Sequence, residues 1–113
     1  MKETFHYPTV RPAADIMDTA GGIRIVANMP GVQAENLYLL LEEKGLHIYA
    51  SSRCPRPETG GRDIRTLEFG NVEFELDIAL DAPLSAPPCA VLEQGVLSVF
   101  LPGESRDRVR FLE

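Results

Sequence analysis

Cysteine is scarce in this chain: Cys54 and Cys89 are the only two among 113 residues, and a long stretch of sequence separates them. Neither a disulfide framework nor a Cys-x-x-Cys metal site fits that count and spacing, so both are read as free thiols. Histidine is as sparse, with His6 near the start and His47 in the middle. A zinc site wants about four convergent ligands, and two isolated histidines with two distant cysteines do not supply a pattern for one. Cations are outnumbered, 11 Lys and Arg against 17 Asp and Glu, for a net charge of −6. Phosphate binding needs clustered Lys and Arg, so a nucleic-acid partner is not expected. No apolar run reaches the 18 or so residues that cross a bilayer, and Met1-Lys2-Glu3-Thr4-Phe5-His6 has no signal-peptide core. No membrane partner is expected, and the cytoplasm is the default compartment.

Catalytic motifs are also missing. Gly21-Gly22 and Gly60-Gly61 lack the lysine and the helix start of a phosphate loop, and no nucleophile stands in a recognisable pattern with a base. Neither a catalytic residue nor a cofactor nor a metal is assigned, and an enzyme is not expected.

What the chain has in abundance is alternation with period two, the mark of strands with one buried face. Ile23, Ile25 and Ala27 alternate with Arg24 and Val26 up to Met29-Pro30-Gly31. Proline followed by glycine suits the two central positions of a type II turn. Leu37, Leu39 and Leu41 share a face, and Leu46, Ile48 and Ala50 follow across Glu42-Glu43-Lys44-Gly45, which reads as a hairpin. A helix over residues 35–44 is the competing reading, because strong helix formers are present, but the clean alternation at 46–50 favours strand. Between Ser51 and Thr66 the sequence Cys54-Pro55-Arg56-Pro57-Glu58-Thr59-Gly60-Gly61 predicts a long mobile loop, a length that calls for a function. Alternation resumes with Val72, Phe74, Leu76, Ile78 and Leu80 against Glu73, Glu75 and Asp77. A proline-rich connector, Asp81–Pro88, leads to Ala90-Val91-Leu92 and Val96–Leu101 around Glu93-Gln94-Gly95, where Gln94-Gly95 stands in for the Asn-Gly of a type I′ turn.

Seven or eight short strands without a convincing helix predict an all-β, two-sheet sandwich in one domain. The acidic positions Glu42/Glu43 and Glu73/Glu75 read as a solubilising charged face, and His47 as a solvated cross-strand residue. Pattern alone assigns Leu37, Leu39, Leu41, Ala90 and Leu92 to the core, although a sandwich can leave such faces open at a sheet edge, where incoming segments pair readily.

Three stretches resemble the small heat-shock proteins and their α-crystallin domain. Arg11–Thr19 is similar to that family's opening strand, and Ala27-Asn28-Met29-Pro30-Gly31-Val32 with Glu35-Asn36-Leu37 to its proline-glycine-valine turn and next strand. Most specific is Ala90-Val91-Leu92-Glu93-Gln94-Gly95-Val96-Leu97, which fits alanine, three residues, usually asparagine, then glycine-valine-leucine. Phe69-Gly70-Asn71-Val72 and Leu101-Pro102 add to the match.

The resemblance implies an immunoglobulin-like sandwich of seven to nine antiparallel strands over residues 11–102, a short arm at 1–10 and a tail at 103–113. It implies an ATP-independent holdase whose partners are unfolded client proteins, with Leu37, Leu39, Leu41, Ala90 and Leu92 lining a groove for clients or for a C-terminal tail. It further implies a homodimer, or a larger oligomer, in which Arg62, Asp63, Ile64 and Arg65 form an exchanged strand, and a tail motif carried by Val109 and Phe111. Three features depart from the family pattern: the short arm, a tail motif without isoleucine, and Phe74 where an arginine of the dimer interface often stands. They leave a second reading, an adaptor or co-chaperone-like sandwich that binds one folded partner.

Overall fold

The computed structural model describes residues 9–57 and 67–112, with side chains omitted for 53–57 and 67–71. Within the described residues nine strands form two sheets: β1 (Thr9–Val10), β2 (Ala14–Thr19), β3 (Gly22–Asn28), β4 (Val32–Glu42), β5 (Gly45–Pro57), β6 (Leu67–Leu80), β7 (Cys89–Glu93), β8 (Val96–Pro102) and β9 (Val109–Phe111). A single 3-10 turn at Arg106–Arg108 is the one helical element among the described residues. One sheet runs β1-β6-β5-β4 with β9 also on β6, and the other runs β2-β3-β8-β7.

Alternation decides what is buried. Ile23, Ile25 and Ala27 of β3 and Leu97, Val99 and Leu101 of β8 face Leu46, Ile48 and Ala50 of β5 and Phe74, Leu76, Ile78 and Leu80 of β6, all shielded from solvent. The strands predicted from period two are therefore the strands that build the core, and the segment at 35–44 is strand, not helix. Phe74, on an inward position, packs its ring where a charge would be costly to bury.

Both predicted turns form. Val32 N–H donates to Met29 O at 3.2 Å and Gly31 takes φ 85°, the type II arrangement around Pro30-Gly31. Gln94 and Gly95 take φ 51° and 76°, the two positive angles of a type I′ turn. The two turns also dock on each other, with Met29 N–H donating to Gly95 O at 2.6 Å. A Cβ at Gly95 would lie 3.0 Å from Pro30 Cα on a backbone with φ 76°, so any other residue would be both crowded and strained. The buried Ser52 hydroxyl donates to Pro30 O at 2.7 Å and ties this corner to β5.

One expectation needs correction, and two further observations refine the picture. The loop predicted over 51–66 is strand as far as Pro57 and strand again from Leu67, because β5 and β6 pair from Ser52↔Val72 out to Pro57↔Leu67. Beyond Ser52, where β4 ends its pairing, β5 has a neighbour on one side only among the described residues, and prolines of one parity, Pro55 and Pro57, remove donors from one side of a strand only. Pairing also reaches past residues 11–102: β1 lies in the predicted arm and β9 in the predicted tail, and both line the edge of β6. Finally, β1 runs parallel to β6, so the sheets are not purely antiparallel.

Candidate functional site

The strand registers place all five predicted groove residues on inward-facing positions at two free edges. Leu37, Leu39 and Leu41 of β4 stand opposite Ala50, Ile48 and Leu46, and Ala90 and Leu92 of β7 stand opposite Val99 and Leu97. Those partners are buried, yet the edge residues are not: Leu39 is 36% exposed, Leu41 45%, Ala90 is exposed, and Leu37 and Leu92 are half-buried against the core margin. The reason is topological. β4 closes one sheet and β7 closes the other, and among the described residues neither outer edge has a strand beside it. Each edge offers unpaired backbone groups next to wet apolar side chains, the combination that an extended segment can satisfy.

The rims of this opening come from loops. At one end a depression is lined by Gly31, Val32, Glu35, Leu92 and Gly95, next to the docked turns. At the other, Leu41 lies beside Pro83–Pro87 of the connector, whose Leu84 packs on the core. Leu84 went unassigned in the sequence reading, and its signal was being the one large aliphatic residue between Asp81 and Pro88.

The other predicted residues fall elsewhere. Val109 and Phe111 pair with Leu80 and Ile78 of the chain's own β6, and Val109 is buried in its own core. To fill a groove they would have to leave β6. Arg62, Asp63, Ile64 and Arg65 lie outside the described residues. The exposed Cys89 opens β7 and is a free thiol.

The outer face of the β4–β5–β6 sheet carries the titratable groups. His47 Nδ1 lies 2.7 Å from Asp77 Oδ1 and Nε2 lies 3.2 Å from Glu42 Oε1. The hydrogen bond to Asp77, then that to Glu42, holds the imidazole pKa above its ordinary value against the opposing effect of desolvation. Tyr49 O–H donates to Glu73 Oε1 at 2.7 Å, which raises the phenol. His47 is thus an ion-pairing residue rather than a merely solvated one. Among the described residues no group of three or more His, Cys, Asp and Glu side chains is placed to hold a metal ion.

No protein-family model matches the sequence. No curated protein matches it either. Solved structures do. HSP18.5 from E. histolytica is 18% identical, with a TM-score of 0.56, over 83% of this chain and 89% of that one. Heat shock protein 16.0 from Schizosaccharomyces pombe is 20% identical, with a TM-score of 0.53, over 82% of this chain and 86% of that one. With the strand order, the docked turns and the open β4 and β7 edges, these likenesses give the chain the β-sandwich fold of small heat-shock proteins.

Proposed function

We propose that this chain is a nucleotide-independent holdase, which covers exposed apolar segments of non-native proteins in the groove between β4 and β7. The observation that carries the reading is that Leu37, Leu39 and Leu41 on the edge strand β4 and Ala90 and Leu92 on the edge strand β7 are inward by register and yet exposed or half-buried. Covering one of these leucines is worth on the order of 1 to 3 kcal/mol, and the entropy lost on association and ordering offsets part of the sum, which suits reversible capture. The tail supports an open groove, since Val109 and Phe111 are committed to β6.

Light scattering coupled to size exclusion, without nucleotide and with several unrelated thermally unfolding substrates, tests the reading. Soluble complexes with each substrate are expected. Protection of none would leave the fold standing and remove general chaperoning. The adaptor reading draws on the rims: a groove bounded by the docked turns at one end and by Pro83–Pro87 at the other takes a short segment of defined spacing. Binding to one folded partner, with no protection of unfolding substrates, is the result that would favour it.

A homodimer by strand exchange through Arg62–Arg65 belongs to the same proposal. Its support is the β5–β6 ribbon, which carries the chain beyond the last β4 pairing before residues 58–66.

A further inference from the structure

The outer face of the β4–β5–β6–β9 sheet is a second exposed surface, on the opposite side of the sheet from the groove. We propose that this face is a contact between two copies of the chain, related by a two-fold axis parallel to the strands. The proposal is independent of the holdase reading, because the side chains involved point away from Leu37, Leu39 and Leu41.

The argument starts from cross-strand rows. Leu40 is opposite His47, His47 is opposite Asp77, and Leu112 N–H donates to Asp77 O at 2.8 Å just past the end of β9. One outward row therefore reads Leu40, His47, Asp77, Leu112. The next row reads Glu42, Gly45, Ala79, Arg110. A shallow depression lined by Glu42, Gly45, His47 and Leu112 shows that the two rows share one surface. Leu40 and Leu112 are 57% and 44% exposed, large apolar groups that no described residue covers.

A two-fold axis parallel to the strands lays β4 of one copy over β9 of the other and keeps each row over itself. Glu42 then meets the second copy's Arg110, His47 meets Asp77, and Leu40 meets Leu112, each pair occurring twice. In the second row the middle positions are Gly45 and Ala79, so the backbones can come close where the side chains are smallest. The alternative axis, across the strands, lays β6 over β6 and sets the acidic row Glu73, Glu75 and Asp77 against itself, which like-charge repulsion disfavours. Opposite charges and matched apolar ends thus select one of the two symmetric arrangements. Facing sheets pack about 10 Å apart with a modest twist between them, so the match is best at the centre of the patch.

Size sets the strength. Three strand spacings give a patch only about 14 Å wide between outer strands, below the area of a permanent interface, so the contact is weak and concentration-dependent. The same 14 Å or so separates Glu42 from Arg110 within one copy, where Arg110 instead reaches Asp81 at 3.4 Å and Glu42 reaches His47.

Charge exchange tests this. In sedimentation velocity over a concentration series on the full chain, Glu42→Arg and Arg110→Glu are each expected to weaken self-association at least about tenfold. The double variant Glu42→Arg/Arg110→Glu is expected to restore it. If exchange of residues 62–65 already pairs the chains, the same contact joins pairs, so the readout is the mass of each variant relative to the parent. Single variants with the parent's mass, or a double variant that stays dissociated, would overturn the proposal. A substitution in the groove, Leu39→Asp, is expected to leave this mass unchanged.

Discussion

At Gln94 the backbone stands at φ 51° in the first central position of a type I′ turn, the one non-glycine residue with positive φ among the described residues. Asparagine tolerates that conformation better, because its short polar side chain bonds locally to the backbone. Gln94→Asn is therefore expected to stabilise the fold by about 0.5 kcal/mol, read as a higher urea midpoint at constant slope. A lower midpoint would show that the Gln94 side chain has a role the turn does not reveal. His47 makes a second prediction at this scale. Its folded pKa is raised by Asp77 and Glu42, so the stabilisation is complete below the imidazole's unfolded value and is lost as pH rises through the folded one. The melting-temperature gap between the parent and His47→Gln should be wide at about pH 5.5 and close by about pH 8.5. A gap that widens with pH would contradict the ion-pair geometry.

Among the elements, β9 bears most on the proposed groove, because Val109 and Phe111, expected as a tail motif, pair instead with the chain's own β6. Asp81 N–H donates to Arg108 O at 2.9 Å, on the β9 side of β6, whereas the neighbouring Leu80 N–H donates to Lys44 O at 3.1 Å, on the β5 side. Val109→Ala removes buried apolar volume and is expected to cost about 1–3 kcal/mol while loosening β9. Hydrogen exchange should then quicken more at Asp81 than at Leu80; equal acceleration would mean that β9 and the sandwich open as one unit. For β4 the prediction is the opposite, since its groove face is wet. Leu39→Asp is expected to abolish binding of an apolar peptide, measured by fluorescence anisotropy, with a stability change of no more than about 1 kcal/mol. A collapse in melting temperature would assign Leu39 to the core.

For the whole molecule, the two proposed assembly surfaces can be tested separately. Replacing Arg62–Arg65 with glycine and serine is expected to halve the mass seen by light scattering if strand exchange makes the pair, while the sandwich, built from strands outside that segment, keeps its melting temperature. A variant that keeps the parent's mass would move the dimer contact to another edge or to the outer sheet face.

The sandwich and its inner faces were legible in the sequence because burial on one side of a strand imposes period two, and Ile23/Ile25/Ala27, Leu46/Ile48/Ala50 and Phe74–Leu80 state that period without interruption. The turns were legible because Pro30-Gly31 and Gln94-Gly95 meet backbone angles that few other pairs allow. The path of 51–57 was not: local propensity reads the prolines as loop, and only pairing with β6, distant in sequence, makes strand there. Leu37, Leu39 and Leu41 carry the same alternating pattern as Leu46 and Ile48, and sequence periodicity cannot tell them apart. Their exposure follows from strand order, since among the described residues β4 has a neighbour on one side and β5 on both. The place of β9 was decided the same way, because Val109 and Phe111 would suit any apolar edge, and the tertiary structure puts the edge of their own β6 within reach.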